Sequence, residues 1–243
     1  MIPKTIHYCW FGGGERSETM LRCLESWKRF APDYELKEWN EENYDVRCCP
    51  YSAEAYEAGR YAFVSDVARF AILSREGGIY LDTDVELLQR LDAFLGDPAF
   101  LAYDRAGCIN PGLIMGSESG SPLMRELRDS YEGRHFRLGK NRLDFTTVVT
   151  AVTERLKSMG FVMDGKEFSD GTVHLYPAEY FDPLSFETGE LTVTDRTVSI
   201  HHYAASWKTD RDMKIYRAGR FLRKLVGRRA YAVLAKLKHR LLG

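Results

Sequence analysis

The most constraining feature of the sequence is a helical pattern that runs directly into a short apolar strand. Apolar residues at helical spacing extend over about 52–76, with a break near Gly59, and the pair Gly77-Gly78 follows. Glycine adopts the left-handed conformation that closes a helix, so the helix should end there. Residues 79–81 are Ile-Tyr-Leu, which is typical of a short buried strand. This passage from helix to strand favours an α/β fold.

The first forty residues show the same alternation. β-Branched and aromatic residues over 2–11 predict a strand that stops at the glycines 12–14, and residues 34–39 predict a second strand. Apolar spacing over about 15–30 predicts a helix between them. Such alternation predicts an α/β sheet that binds ligands at the carboxyl ends of its strands. We predict one domain over residues 1–213, because a chain of 243 residues buries one sizeable core or two small ones.

Composition argues against several classes of protein. The hydrophobic share of 44% and the charged share of 28% are ordinary for a soluble globular protein. No apolar run approaches the ~18 residues that span a bilayer, and the first residues lack the pattern of a secretory signal. The five cysteines are an odd number without C-x-x-C spacing, which argues against a disulfide framework and a zinc knuckle. We expect a cytoplasmic protein without a nucleic-acid partner.

The C-terminal segment differs from the rest of the chain. Residues 214–243 contain ten Lys or Arg and no acidic residue. Apolar residues recur there every three or four positions, which predicts a basic amphipathic helix. They are Leu222, Val226, Ala230, Val233, Leu237 and Leu241. Two interpretations stay open: the stripe packs on the domain, or the helix binds an anionic membrane surface and makes the protein peripheral on the inner face of the cytoplasmic membrane.

Two acidic residues follow the strand predicted at 79–81. Asp82 and Asp84 are two positions apart, and in extended backbone such residues point to the same side. Two carboxylates that lie close repel each other and need a cation. Hard oxygen ligands favour Mn²⁺ or Mg²⁺, whose remaining positions are commonly filled by water and substrate phosphates. Taken alone, such a pair also occurs in solvated acidic turns, so its context decides.

The context is the run SDVARFAILSREGGIYLDTDV at 65–85, in which Asp66 and Arg69 share a helical face. This run resembles the sugar-binding signature of the DXD-containing glycosyltransferases of family 32. That family includes fungal mannosyltransferases and many bacterial capsule and lipopolysaccharide enzymes, and glucosylating bacterial toxins share its core more distantly. The opening IPKTIHYCWFGG, the segment 110–112 and the late HHYAASW are also similar, so the resemblance extends over 2–207.

The resemblance implies a GT-A fold, an α/β domain with a mixed central sheet and flanking helices, in which a nucleotide sugar lies across the carboxyl edge. It places Trp10 and His7 beside the nucleoside, where the indole offers a stacking face. Both residues also fit the core of a first strand. It matches Asp66 and Arg69 to positions that contact the donor sugar and the bond that breaks. The alternative for this second pair is an ion pair on a helix surface.

The resemblance also assigns the metal site. Asp82 would contact the ribose and the water shell of the metal, and Asp84 would bind the metal directly. A further ligand would come from His201 or His202, with a slight preference for His201, because imidazole binds Mn²⁺ acceptably. Adjacent histidines in a late strand can also have no ligand role.

Three further positions match donor-binding residues of the family. Ser206 and Trp207 match residues that reach the leaving phosphate, and a mobile loop could close Trp207 over the donor. Asn110 would contact the sugar or the phosphate. Its alternative is a simple turn, which the combination Asn-Pro-Gly also favours.

These features predict a metal-dependent glycosyltransferase with Asp66, Arg69, Asp82 and Asp84 as catalytic residues. It would move a hexose from a nucleotide sugar to a saccharide or lipid-linked acceptor in surface-polysaccharide synthesis, with retention of configuration. A UDP-hexose is favoured as donor, and GDP-mannose also fits. Metal and Arg69 would stabilise the leaving diphosphate. Two other functions stay open: a metal-dependent phosphohydrolase and a noncatalytic membrane-associated partner protein.

Overall fold

Short strands are frequent in the part of the chain that the structure describes, residues 1–140, 142–186 and 188–204 of a computed structural model. In chain order they are β1 (Thr5–Cys9), β2 (Glu35–Trp39), β3 (Gly78–Tyr80), β4 (Val85–Leu87), β5 (Ala99–Ala102), β6 (Met115–Ser117), β7 (Arg137–Gly139), β8 (Arg142–Leu143), β9 (Phe168–Ser169), β10 (His174–Tyr176) and β11 (Ser199–His201). One sheet has the order β2-β1-β3-β6-β5-β10-β9, and β11 pairs with β4 in a small second sheet. β1 is parallel to both β2 and β3, whereas β6 is antiparallel to its neighbours β3 and β5. The central sheet is therefore mixed.

Helices connect these strands. They are α1 (Glu18–Phe30), α2 (Pro50–Glu57), α3 (Tyr61–Glu76), α4 (Pro122–Asp129), α5 (Val148–Ser158) and α6 (Ala178–Phe181), with a 3-10 turn at Asp92–Phe94. The helix predicted over about 15–30 is confirmed as α1, which begins after Ser17, whose side chain accepts a hydrogen bond from the Met20 amide. Trp27 donates its indole N–H to the Val85 carbonyl at 2.7 Å. This bond fixes α1 against β4.

The long helical pattern is divided into α2 and α3, as the break near Gly59 predicted. Gly59 has a φ of +65°, a conformation that favours glycine, and α3 begins at Tyr61. α3 ends at Gly77, whose φ is +70° and whose N–H donates to the Leu73 carbonyl. The strand expected at 79–81 is β3, which begins one residue earlier. α3 therefore leads the chain directly into the sheet.

Successive residues of the central strands face two different hydrophobic cores. In β5, Phe100 belongs to one cluster of buried apolar side chains and Leu101 to the other. The Phe100 cluster contains the buried residues of α1, and the Leu101 cluster contains those of α2, α3, α4 and α5. Because neighbouring residues of a strand point to opposite faces, α1 covers one face of the sheet and α2–α5 cover the other.

The predicted α/β fold with a mixed central sheet and flanking helices is confirmed. The amphipathic helix predicted at 214–243 lies outside the described residues, and the domain boundary at 213 stays a prediction. Within the described ranges, no helix combines the length and the apolar character needed to cross a membrane.

Candidate active site

Three neighbouring strands end at one edge of the sheet. β2, β1 and β3 are parallel, so their last residues, Trp39, Cys9 and Tyr80, lie at the same edge. The acidic residues Asp82 and Asp84 follow β3 closely. The carboxyl edge of parallel strands is where α/β proteins place their ligands. The acidic pair is therefore at the edge that the sequence predicted.

His201 is brought to Asp84 by strand pairing in the small second sheet. β11 runs antiparallel to β4 and places His201 opposite Val85, the residue after Asp84. The Nε2 atom of His201 lies 3.0 Å from Asp84 Oδ1. Ligand atoms of Asp82, Asp84 and His201 all lie within 4.8 Å of one another. The three side chains are close enough to share one cation.

The donor set of this cluster fits a divalent metal. Burial favours a neutral Asp84, but the charge and hydrogen bond of His201 outweigh burial and lower the pKa of Asp84 to about 2. Burial also favours a neutral His201, but the Asp84 carboxylate raises the pKa of His201 above its ordinary value. The Nδ1 atom of His201 is buried and has no hydrogen-bond partner in the described part of the chain. Two carboxylates and an imidazole that gives up its proton are suitable ligands for a divalent cation.

Arg69 joins the acidic pair to α3. Its Nη2 lies 2.9 Å from Asp66 Oδ1 and 3.3 Å from Asp82 Oδ1, and its Nε donates to the Ser65 carbonyl at 3.1 Å. The guanidinium carbon lies 4.8 Å from the centroid of the Tyr80 ring. The Nη1 atom is buried, and no residue that the structure describes accepts its hydrogen bonds. An unsatisfied buried donor is costly, so this N–H group is suited to an anionic ligand.

Asp66 and Asp82 are carboxyl groups with shifted pKa values. Burial raises the pKa of Asp66 to about 7, although the Arg69 charge acts in the opposite direction. Burial also raises the pKa of Asp82, again against the effect of Arg69. Such shifts are concentrated at functional sites. The alternative interpretation of Asp66 and Arg69 as a surface ion pair is wrong, because both residues are buried.

The turn at 110–112 lies against Asp82. The Asn110 side-chain carbonyl accepts a hydrogen bond from the Gly112 N–H at 3.0 Å and closes the turn. A Cβ atom on Gly112 would lie 2.4 Å from Asp82 Oδ2, so any side chain there would force the Asp82 carboxylate to move. Sequence reasoning selected Asn110 in this turn and missed Gly112. The sequence feature that could have pointed to Gly112 was its place in a segment that resembles the family.

Residues 17–101 match the family described as glycosyltransferase sugar-binding region containing DXD motif. They include α1, α3 and four residues of the site, Asp66, Arg69, Asp82 and Asp84. The matched segment belongs to the DXD-containing glycosyltransferases. Asp82-Thr83-Asp84 is its DXD motif. The bacterial capsule and lipopolysaccharide branch of the family stays a prediction.

Similar proteins include mannosyltransferases and a viral glycosyltransferase. Inositol phosphoceramide mannosyltransferase 3 of Schizosaccharomyces pombe is 32% identical over 130 residues, which are 52% of this chain and 36% of that protein. An uncharacterised glycosyltransferase of Acanthamoeba polyphaga mimivirus is 26% identical over 223 residues, 85% of this chain and 84% of that protein. A solved glycosyltransferase involved in the glycosylation of the major capsid of PBCV-1 is 12% identical with a TM-score of 0.48, over 86% of this chain and 98% of that chain. The chain spans little more than a third of the length of the fungal relative.

His7 lies in the core behind the DXD motif, which corrects the donor contact predicted for it. Its Nδ1 accepts a hydrogen bond from the Trp39 indole at 3.1 Å, and its Nε2 donates to the Gly77 carbonyl at 2.9 Å. Burial lowers the pKa of His7 to about 4, so the ring is neutral at neutral pH. Both ring nitrogens are used inside the protein. His7 is therefore a buried residue of the first strand, as the alternative interpretation expected.

Trp10 borders a cavity at the carboxyl ends of β1 and β2. The cavity has a volume of about 420 Å³, and Gly13, Glu38 and Asn40 also line it. Trp10 is half-buried, and its indole N–H donates to the Gly14 carbonyl at 3.1 Å. The structure thus places Trp10 at a cavity on the edge that carries the DXD motif. Its contact with a nucleoside stays a prediction.

The two adjacent histidines have different partners. His202 Nε2 lies 2.7 Å from Glu86 Oε2, and His202 is not part of the cluster that His201 forms with the DXD motif. β11 ends at His201, and the two imidazoles have separate partners, Asp84 for His201 and Glu86 for His202. Of the two predicted metal ligands, the structure brings His201 to the DXD motif and places His202 elsewhere. Ser206 and Trp207 lie outside the described residues.

Tyr203 contacts His201, and sequence reasoning missed it. Its φ is +53°, which is uncommon for a residue with a side chain. Its hydroxyl donates to the buried Asp182 Oδ1 at 2.7 Å, and its ring centroid lies 4.3 Å from that of His201. The next residue, Ala204, donates its N–H to Asp84 Oδ2 at 2.6 Å. The residues that follow β11 therefore contact the DXD motif. The one sequence feature that could have pointed to Tyr203 was its place inside HHYAASW.

Proposed function

We propose that this chain is a metal-dependent, retaining glycosyltransferase that moves a hexose from a nucleoside-diphosphate sugar to a saccharide acceptor. One observation carries the proposal. Ligand atoms of Asp82, Asp84 and His201 lie within 4.8 Å of one another. Beside them, Arg69 presents a buried Nη1 that no described residue satisfies. Carboxylates for a cation next to an N–H group for an anion are complementary to a metal-bound diphosphate.

Mn²⁺ is the proposed cation, and Mg²⁺ is its alternative. Asp84 and His201 would hold the ion, and Asp82 would contact its water shell and the donor ribose. The bound ion would supply Lewis acidity at the leaving diphosphate. The cluster fits this assignment because carboxylates suit either ion and the imidazole of His201 favours Mn²⁺ over Mg²⁺.

Arg69 is proposed to stabilise the leaving group. Its guanidinium stays charged at any physiological pH, and negative charge develops on the diphosphate as the glycosidic bond breaks. A preorganised donor in a buried site stabilises such charge without reorganisation. Asp66 holds Nη2 of Arg69 and so orients the guanidinium. We also assign to Asp66 partial compensation of the positive charge at the anomeric carbon.

Transfer requires an acceptor hydroxyl on the same face of the sugar as the leaving diphosphate. The acceptor oxygen bonds to the anomeric carbon as the bond to the phosphate oxygen breaks. The hydroxyl proton passes to the leaving phosphate oxygen. This route retains the anomeric configuration, which the anomeric coupling in an NMR spectrum of the product checks.

The cavity at Trp10 is the proposed position of the nucleoside. It lies at the ends of β1 and β2, and β1 is the neighbour of β3, which leads into the DXD motif. A UDP-hexose is the first donor to test. GDP-mannose is the second, because the fungal relative is named a mannosyltransferase.

A thermal-shift panel of nucleotide sugars, each with and without Mn²⁺, tests the function. A ligand that binds only the folded state raises the Tm, so we expect one nucleotide sugar to raise it with Mn²⁺ and much less without. The same sugar should be hydrolysed slowly to the nucleoside diphosphate when no acceptor is present. A panel in which no nucleotide sugar shifts the Tm or is hydrolysed with either ion would contradict the proposal.

We also propose that the acceptor is carried on a lipid at the inner face of the cytoplasmic membrane, in surface-polysaccharide synthesis. The support is the composition of residues 214–243, since each basic group near an anionic leaflet contributes roughly 1 kcal/mol, screened by salt. Full-length protein should cosediment with anionic vesicles at low salt and much less at high salt. Truncation after Met213 should abolish sedimentation and leave donor hydrolysis intact. A full-length protein that ignores the vesicles, with a truncated form that unfolds, supports packing of the segment on the domain instead.

A further inference from the structure

A second cavity lies between α4 and α5, apart from the residues assigned so far. Its volume is about 510 Å³. α4 contributes Glu126 and Asp129 to its lining, α5 contributes Thr150 and Glu154, and Arg134 from the connection between the helices also lines it. We call this space the α4–α5 groove.

The lining of the α4–α5 groove suits a neutral polyhydroxyl ligand. It contains three carboxylates, two guanidinium groups and three hydroxyl groups. A small ion of either sign would meet groups of its own charge there. The charged groups already form ion pairs, Arg155 with Glu126, Arg134 with Asp144, Arg128 with Asp129 and Lys157 with Glu154. Sugar hydroxyls both donate and accept hydrogen bonds, so they can add to such paired groups without carrying charge. Phe145 does not line the groove but directly precedes the lining residue Thr146 in sequence, and 48% of its surface is exposed.

Arg134, a lining residue of the groove, lies beside two tyrosine rings, and its charge acts on Asp66. The Arg134 guanidinium carbon lies 4.9 Å from the centroid of the Tyr51 ring and 4.7 Å from that of Tyr131. Burial raises the pKa of both tyrosines, and the Asp66 charge raises them further. Phe63, one helical turn before Asp66, has its ring centroid 5.9 Å from that of Phe145. The groove is therefore on the side of α3 where Asp66 lies.

The cavity proposed for the nucleoside is reached from a different side of α3. A Cβ atom on Gly12, in the loop that borders that cavity, would lie 2.2 Å from the Tyr61 ring. Tyr61 and Phe63 are two residues apart, so they project about 200° apart around the helix. One cavity thus neighbours the Tyr61 side of α3 and the other neighbours the Phe63 side. A group-transfer enzyme needs this separation, because donor and acceptor have to meet at the reacting carbon from different directions.

We infer that the α4–α5 groove binds the acceptor saccharide, with a simple hexopyranoside as its smallest ligand. The inference rests on the proposed function. It adds the position of the acceptor and names Glu154, Thr150 and Arg134 as residues that contact it.

A pair of variants on α5 tests the groove. Glu154 lines it and Lys157 does not, and the two side chains form a 2.9 Å ion pair with each other on the surface. Glu154→Trp fills the groove and breaks that pair, whereas Lys157→Trp breaks the same pair outside the groove. Thr150→Trp is a second blocking variant, because Thr150 is exposed and its backbone N–H keeps the N-cap bond to Thr147.

Saturation-transfer NMR with methyl α-D-mannopyranoside, methyl β-D-galactopyranoside and methyl β-D-glucopyranoside is the binding measurement. We expect at least one glycoside to receive saturation from the wild-type chain and from Lys157→Trp. The signal should fall by about tenfold in both blocking variants, as a comparable loss of affinity requires. Donor hydrolysis without acceptor should be the same in the wild-type chain and in Lys157→Trp.

Two outcomes overturn the inference. Either no glycoside in the panel binds the wild-type chain, or one binds equally well to wild type, Glu154→Trp and Thr150→Trp with unchanged Tm values. Failure of the proposed function is distinguishable, because donor hydrolysis would then be absent from the wild-type chain as well.

Discussion

Two clusters of charged side chains lie at opposite edges of the same parallel strands. The amino-edge cluster lies where β1 and β2 begin and consists of Lys4, Asp33, Arg90 and Asp92. The carboxyl-edge cluster lies where β1 and β3 end and consists of Asp66, Arg69, Asp82, Asp84 and His201. Both join acids and bases from separate elements. The two clusters differ in burial and in whether every charged group has a partner.

The amino-edge cluster is exposed and complete. Each of its two acids pairs with both of its bases. Hydrogen bonds from Lys4 and Arg90 lower the pKa of Asp33 to about 2. Water and salt compete with exposed ion pairs, so such pairs add little to the stability of the fold.

The carboxyl-edge cluster is mostly buried and incomplete. It has three carboxyl groups against two cationic groups, and Arg69 Nη1 and His201 Nδ1 lack partners within the described ranges. Buried charges that are not fully paired cost stability. The difference between the two edges indicates that the carboxyl edge is arranged for a ligand, and each prediction below tests that difference with a matched variant.

Asp84→Ala should have the largest effect. The variant removes a predicted metal ligand. Mutation of a residue that only supports a ligand lowers metal affinity about 10–100-fold, so removal of the ligand itself should lower it further. We expect Mn²⁺-dependent nucleotide binding and transfer to vanish, and the Tm to fall because His201 and the Ala204 N–H lose their partner while the chain still folds. Asp92→Ala, at the amino edge, should keep both, measured by calorimetry with Mn²⁺ and the donor. Unchanged turnover of Asp84→Ala would remove the metal assignment.

Arg69→Lys should come next. Lysine keeps the positive charge but lacks the planar guanidinium of arginine. That group can contact both Asp66 and Asp82 and still offer an N–H to the ligand. Loss of one preorganised donor to a developing oxyanion costs about 100-fold or more in kcat, and we expect the donor KM to change far less. Arg90→Lys is the control and should keep wild-type kinetics. A variant that loses affinity and keeps kcat would make Arg69 a binding residue instead.

Gly112→Ala should have an intermediate effect. The new methyl group would displace the Asp82 carboxylate, from which its ideal position is 2.4 Å away. We expect about a tenfold loss of Mn²⁺ affinity, which is typical when a residue that supports a metal ligand is mutated. Gly96→Ala is the matched control, because a Cβ atom there meets no atom within 4 Å. Equal Mn²⁺ affinity in the two variants would show that the turn at 110–112 has no part in positioning Asp82.

Tyr203→Phe should have the smallest effect, on stability. It removes the hydrogen bond to the buried Asp182 and should cost about 1–3 kcal/mol. Tyr34, which Lys4 contacts at the amino edge, has a buried hydroxyl without a partner among the described residues. Tyr34→Phe should therefore be neutral or slightly stabilising in denaturant unfolding. An equal loss in both variants would mean that the Asp182 hydrogen bond contributes nothing.

Local patterns were sufficient for the elements that lead into the DXD motif. The break at Gly59, the end of α3 at Gly77 and the strand before Asp82 all follow from glycine conformation and apolar spacing. The family match at 17–101 covers the same stretch. Sequence alone therefore predicted the α/β fold and the edge at which the acids lie.

Long-range partners were beyond those patterns. His7 was expected beside the nucleoside because it lies near Trp10, but its partners Trp39 and Gly77 come from other elements. The choice between His201 and His202 depends on the register of β11 against β4, which no local pattern specifies. Asp182, which holds Tyr203, comes from yet another segment, so the contact between them had no sequence signal.

The strand order limits how this fold can be inherited. Three strands of the central sheet, β2, β3 and β5, come essentially from the matched segment 17–101. In the sheet, β1 separates β2 from β3, and β6 separates β3 from β5, and both separators lie outside that segment. The DXD segment alone would therefore have no two of these strands paired as they are here. A gene exchange that moved only this stretch would transfer the most recognisable residues without a foldable unit, so recombination has to carry its flanks on both sides.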